Sequence, residues 1–238
     1  MSQPAVRRLF APINRWFPGW VSRPIRSVGT AVLAPALFSY RSGHFRSALK
    51  LAAVSKRGEP IPWYTYPSID FLNDRNYENK VLLEFGGGQS TLWWARKAKS
   101  VVTFEGNLDW YNRIRSGIPG NVDLHYVNVA DKNACIEEVT QVLLSKPRSQ
   151  YDVVVIDGLW RHELIEVSCK FLAPGGFILC DDAESYGFYS GFKDRGMNRV
   201  DFYGNAPGVV LPHCTSLYFK DSSFVFDART PIRDLKQH

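Results

Sequence analysis

The sequence predicts an α/β protein built on a doubly wound, mainly parallel sheet, and three observations carry that prediction. From Lys80 onward, short unbroken apolar runs alternate with segments of helical period. The first run ends in an acid and three glycines, Glu84-Phe85-Gly86-Gly87-Gly88. The last two runs are joined by a loop too short for a parallel crossover, so they must pair antiparallel. Continuous apolar strands separated by helical crossovers belong to a parallel sheet covered on both faces.

The elements follow in order. Residues 1–58 form an arm with its own composition. Residues 59–79 hold a stiff linker, Gly58-Glu59-Pro60-Ile61-Pro62, and a short pre-core helix that Ser68 is suited to cap. The core spans 80–227. Strands are expected at 81–85, 101–105, 122–128, 151–156 and 177–181, with helices near 90–98, 108–116, 132–145 and 161–172 between them. Pro174-Gly175-Gly176 reads as a turn into the fifth strand. A short helix near 184–193 and an antiparallel pair, 198–203 and 215–220, finish the core. Residues 228–238 read as a loose tail. Trp93 and Trp94 are adjacent, so one of them is expected to face the sheet and Trp94 to cover the arm.

The chain of 238 residues, 45% hydrophobic, is long enough for one well-buried core. Its net charge of +6 is uneven. Residues 1–58 carry ten of the 29 Lys and Arg and none of the 23 acids, which leaves the remainder at −4. A mildly acidic core argues against a nucleic-acid partner. The arm interleaves its arginines with Phe10, Trp16, Phe17 and Trp20. Three readings of it stand: a helical extension packed on the core, a peripheral contact with an anionic membrane, or a transit peptide. Its longest apolar stretch, residues 28–38, is interrupted by Pro35 and is too short to span a bilayer. The cysteines, Cys135, Cys169, Cys180 and Cys214, form no C-x-x-C pair. They point to a reducing, cytoplasmic setting, with membrane association through the arm left open.

The chemistry gathers at strand ends. A glycine bend lets a ligand approach the backbone closely. Glu105 ends the second strand, where a carboxylate can accept from both hydroxyls of a ribose. Asp157 ends the fourth strand and Asp181-Asp182 the fifth. Three carboxylates on neighbouring strand ends are able to hold a hard cation such as Mg²⁺. His162 and His213 are the candidate bases, since histidine titrates near working pH. The alternative for each is a structural role, with Asp157 as a helix cap and Asp181-Asp182 as a solvated strand end. The aromatic run Trp63-Tyr64-Thr65-Tyr66 either roofs a cationic ligand or packs on the first helix.

The glycine bend after Glu84, the acid at Glu105 and the antiparallel ending together resemble the class I S-adenosylmethionine-dependent methyltransferases, over roughly residues 80–220. The resemblance implies a Rossmann-like seven-stranded sheet whose last strand is antiparallel. It implies that Glu84, Gly86 and Gly88 sit at the methionine end of S-adenosylmethionine, Glu105 at the ribose, and Asp131 or its neighbours Val129 and Ala130 at the adenine. The acids at 157, 181 and 182 are similar to those of the metal-dependent O-methyltransferases. In that family the metal holds the acceptor hydroxyl, but this chain has Trp160 where a base is often found. The expected activity is methyl transfer to a small molecule or saccharide, with Asp157 shaping the reacting end. An NAD-dependent oxidoreductase is the first alternative, weakened because Thr91 stands where a third glycine belongs. A non-catalytic scaffold that docks to a membrane or partner is the second.

Overall fold

Val81–Phe85 (β1) is buried at all five positions, as its apolar spelling requires of a strand covered on both faces. Alternation along it divides the chemistry. Leu83 and Phe85 enter one core layer. Leu82 enters the other, and Glu84 shares its side. The same rule governs Ser100–Glu105 (β2), Val122–Tyr126 (β3), Tyr151–Ile156 (β4) and Leu172–Cys180 (β5). In this computed structural model, which describes residues 15–148 and 150–228, these five strands are parallel neighbours. Asn198–Gly204 (β6) and His213–Phe219 (β7) complete a seven-stranded sheet of order β3-β2-β1-β4-β5-β7-β6. β7 runs antiparallel to both β5 and β6. The expected antiparallel ending is therefore present.

Strand order reverses between β1 and β4, so the loops leaving their carboxyl ends diverge and open a crevice. Two helices pack on one face of the sheet: Tyr66–Asn73 (α3), before β1 and over β6, and Gln89–Ala95 (α4), which leaves the glycine bend and lies over β2. Leu108–Arg115 (α5) follows β2 and buries no side chain. Lys132–Ser145 (α6), Leu164–Phe171 (α7) and Phe188–Lys193 (α8) cover the opposite face through Cys135, Val139, Leu164, Phe171 and Phe188. All four thiols are free.

The arm contributes Gly19–Ser42 (α1) and His44–Lys50 (α2), hinged at Gly43 with φ +83°. α1 continues through Pro24 and Pro35. Phe38 meets Tyr66 edge-on at 5.2 Å and ties the arm to α3. No helix among the described residues is long and apolar enough to cross a membrane. Residues 1–14 of the arm and 229–238 of the expected tail lie outside the described residues.

Three local expectations are corrected. Ser68 does not cap α3. It lies inside the helix and its hydroxyl donates to the Thr65 carbonyl at 2.8 Å. The turn at Pro174-Gly175-Gly176 is instead a bulge within β5, made possible by Gly175 at φ +73°. Trp93 and Trp94 are both buried on the same side of the sheet. Trp94 does not cover the arm. It packs edge-on to Tyr77 at 5.1 Å, and its Nε1 donates to the Tyr64 hydroxyl.

Candidate active site

The loop after β1 has almost no side chains, and one of its glycines is obligatory. Gly86 has φ +100°, and a Cβ there would stand 2.7 Å from the Gly158 nitrogen. The β1 and β4 turns are thus pressed backbone to backbone, which only glycine allows. Gly88 differs. Its backbone is extended, and a Cβ would meet only the Trp110 ring, at 3.6 Å. A side chain at Gly88 would point along the cleft that this glycine lines.

Glu105 borders this bend. Its Oε2 accepts from the Gly87 N–H at 2.8 Å and its Oε1 from the Asn107 N–H at 2.7 Å. Burial raises its pKa, and these backbone amides oppose the rise. The amides hold the carboxylate at the rim of the cleft, which it lines. Glu84 does not share that position. Thr91 and Thr103 donate to its Oε2 at 2.5 and 3.0 Å beneath the bend, and its Oε1 is buried without a partner. Desolvation pushes its pKa up to about 7, against the hydroxyl donors. The expectation that Glu84 meets the methionine end directly is corrected, because strand alternation turns it under α4.

The cleft above the bend holds about 750 Å³. It is lined by Gly86, Gly88, Glu105, Asp157, Asp181, Asp182 and His213 among the site residues singled out from sequence. A second depression of about 490 Å³ shares Glu105 and Asn107 and runs to Val129, Leu159 and Trp160. Asp131 reaches neither. It is the N-cap of α6, its carboxylate accepting from the Ala134 N–H at 2.8 Å. The adenine-side expectation therefore passes from Asp131 to Val129.

The acids at the ends of β4 and β5 surround an arginine. Arg161 Nη2 lies 3.3 Å from Asp157 Oδ1 and Nη1 lies 3.1 Å from Asp182 Oδ2. The same guanidinium donates to the carbonyls of Asp157 and Asp181. Burial holds the Asp157 carboxyl well above its ordinary range, Asp181 adds to that, and Arg161 opposes it. Asp181 Oδ1 accepts from the Thr215 hydroxyl at 2.7 Å and lies 3.4 Å from His213 Nε2. That carboxylate raises the His213 pKa above 6.5, with desolvation working the other way.

The three acids do not form the expected Mg²⁺ site as a set. Asp157, Asp181 and Asp182 do not converge on one point, because Arg161 fills the space between Asp157 and Asp182. The side chains that do converge are Asp181, Asp182 and His213, with ligand atoms within 4.8 Å of one another. A nitrogen donor and an adjacent guanidinium suit Mg²⁺ poorly. His162 is also displaced from the expected site. Its Nδ1 pairs with the Tyr186 carbonyl at 2.8 Å, and it lines a separate depression between α6, α7 and α8. That leaves His213 as the histidine of the cleft.

No family model and no curated protein sequence matches the chain. Solved structures do. The O-methyltransferase TomG from Streptomyces achromogenes, solved with SAM, is similar at TM-score 0.50 and 17% identity, over 78% of this chain and 89% of that one. The precorrin-6y C5,15-methyltransferase from Geobacter metallireducens GS-15 is similar at TM-score 0.50 and 16% identity, over 73% and 96%. The chain has the class I methyltransferase fold.

Within the methyltransferase fold the cleft recruits residues that sequence reading passed over. Trp110 Nε1 donates to the Gly87 carbonyl at 2.6 Å, laying the indole beside the glycine bend. Arg113, one helical turn on, lines the same wall and stacks over Trp110 at 5.2 Å. The i, i+3 spacing of Trp110 and Arg113 was the available signal. The aromatic run divides between both of its readings. Trp63 lines the cleft, whereas Tyr64 is fully buried.

Proposed function

We propose that this chain is an S-adenosylmethionine-dependent methyltransferase that acts on a hydroxyl of a small molecule or saccharide. The observation that carries the reading is Glu105, presented by β2 beside a bend whose glycines leave the cleft floor bare. A ribose fits hydroxyls to that carboxylate, and the depression at Val129 and Leu159, with Asn107 at its edge, fits an adenine. The acids Asp157, Asp181 and Asp182 favour a cationic cofactor electrostatically and disfavour a pyrophosphate. Thr91 is buried and donates to Glu84, so the dinucleotide pattern of a third glycine is missing.

Bound S-adenosylmethionine supplies an electrophilic methyl group. The protein's part is to orient the acceptor for in-line attack and to take its proton. Asp181 faces His213 Nε2, which leaves Nδ1 to receive that proton and Asp181 to stabilise the imidazolium formed. Arg161 holds Asp157 in place at the reacting end. No step passes through a metal.

Calorimetry with S-adenosylhomocysteine and with NADH tests the reading. One-to-one binding of S-adenosylhomocysteine with no response to NADH supports it, and the reverse pattern overturns it in favour of the oxidoreductase. Binding without turnover across a library of hydroxyl acceptors would favour the non-catalytic scaffold.

A further inference from the structure

Val21, Ile25, Val28 and Val32 recur at i, i+4, i+7 and i+11 along α1 and so form one stripe. Arg23, Arg26 and Arg41 fall on the opposite side of the helix. The stripe is uncovered over most of its length: Ile25 is 42% exposed, Val28 65% and Val32 64%. On α2, Phe45 and Leu49 are likewise exposed, beside Arg46 and Lys50 in sequence.

The other side of α2 packs on a loop at the mouth of the cleft. Gly208, in the β6–β7 loop, is pressed on α2 so closely that a Cβ would stand 2.8 Å from the Ala48 nitrogen. His44 Nδ1 lies 3.1 Å from the Ala206 carbonyl oxygen and 3.3 Å from the Gly208 nitrogen of that loop. The next residue, Val209, lines the cleft. Val210 and Leu211, which follow, are 87% and 75% exposed.

We propose that α1, α2 and the β6–β7 loop form one docking surface for an anionic lipid bilayer, holding the mouth of the cleft at the membrane. Charge selects this occupant. α1 and α2 carry five cations, Arg23, Arg26, Arg41, Arg46 and Lys50, and no acid. Such a face repels a second copy of itself and attracts lipid phosphates. Its aromatic and aliphatic side chains suit the headgroup–acyl boundary, and long arginine stems let guanidinium groups reach the headgroups while the stripe inserts. The proposal does not depend on which reaction the cleft performs.

Flotation of the full chain with vesicles tests it, using phosphatidylcholine with phosphatidylglycerol against phosphatidylcholine alone. Two double variants, V28D/V32D and V210D/L211D, separate the helix from the loop. Near-ultraviolet circular dichroism and thermal unfolding check that each is folded. The parent should float with the anionic vesicles and not with the neutral ones, and high salt should release it. Each double variant should weaken partitioning by about tenfold or more. No binding to anionic vesicles overturns the proposal, as does unchanged binding by either variant. Self-association in the ultracentrifuge that V28D/V32D abolishes would assign the face to a second copy. Cofactor calorimetry on the same samples is independent, so a failure here leaves the transferase reading to its own test.

Discussion

Replacing Glu84 by Gln should stabilise the protein at neutral pH and above while leaving it unchanged in acid. Glu84 is wholly buried, and only one of its carboxylate oxygens has hydrogen-bond donors. Its pKa is near 4.5 when unfolded and about 7 when folded. Between those values the native chain holds a proton that the unfolded chain has released. Stability therefore falls as pH rises through this window, and the loss is complete above the folded value. At about 1.36 kcal/mol per pH unit, that gap amounts to about 3 kcal/mol. Gln mimics the protonated acid. Its oxygen can accept from Thr91 and Thr103, and its amide takes the unpartnered side. Parent and E84Q should unfold together at about pH 4 and diverge toward about pH 8, where E84Q should melt roughly 6–12 °C higher. Thermal unfolding followed by circular dichroism across that range is the assay. Parallel curves, or an E84Q less stable than the parent at the alkaline end, would refute the account of a charge confined beneath the bend.

The two glycines should separate stability from binding. G86A places a Cβ against the Gly158 backbone at a positive φ and should cost about 2 kcal/mol or more in denaturant unfolding. G88A should unfold like the parent yet bind S-adenosylhomocysteine at least about tenfold more weakly by calorimetry, since its methyl group enters the cleft. His213 acts deprotonated in the proposed reaction, so the methyl-transfer rate should rise with pH through a value above 6.5. D181N removes the carboxylate that raises this value, and its rate profile should move to lower pH. Because Arg161 already fills the space between Asp157 and Asp182, EDTA in the turnover assay should leave the rate unchanged.

The sheet was legible because burial spells itself locally. Val81–Phe85 and Tyr151–Ile156 fall where the apolar runs place them, since a strand covered on both faces tolerates few polar residues. The antiparallel ending followed from a loop length alone. Local signals fail where a contact comes from far along the chain. Nothing around Asp131 distinguishes a helix cap from a ligand contact until the path of α6 is known. His162 is held by the carbonyl of Tyr186, and no pattern near residue 162 announces that. Arg161 lies four residues beyond Asp157, a legible pairing, but its bridge to Asp182 depends on the adjacency of β4 and β5. Glu84 shows the limit within a single strand. Its place at the end of β1 was readable, but which way its carboxylate turns depends on Thr91 and Thr103.

A crystal structure of the protein grown with S-adenosylhomocysteine puts the whole account at risk in one measurement. It should show both ribose hydroxyls on the Glu105 carboxylate, with the purine against Val129 and Leu159 and the amino-acid end over Gly86 to Gly88. A nucleoside that leaves Glu105 untouched, or one seated in the depression beside His162, would contradict the assignment of this cleft.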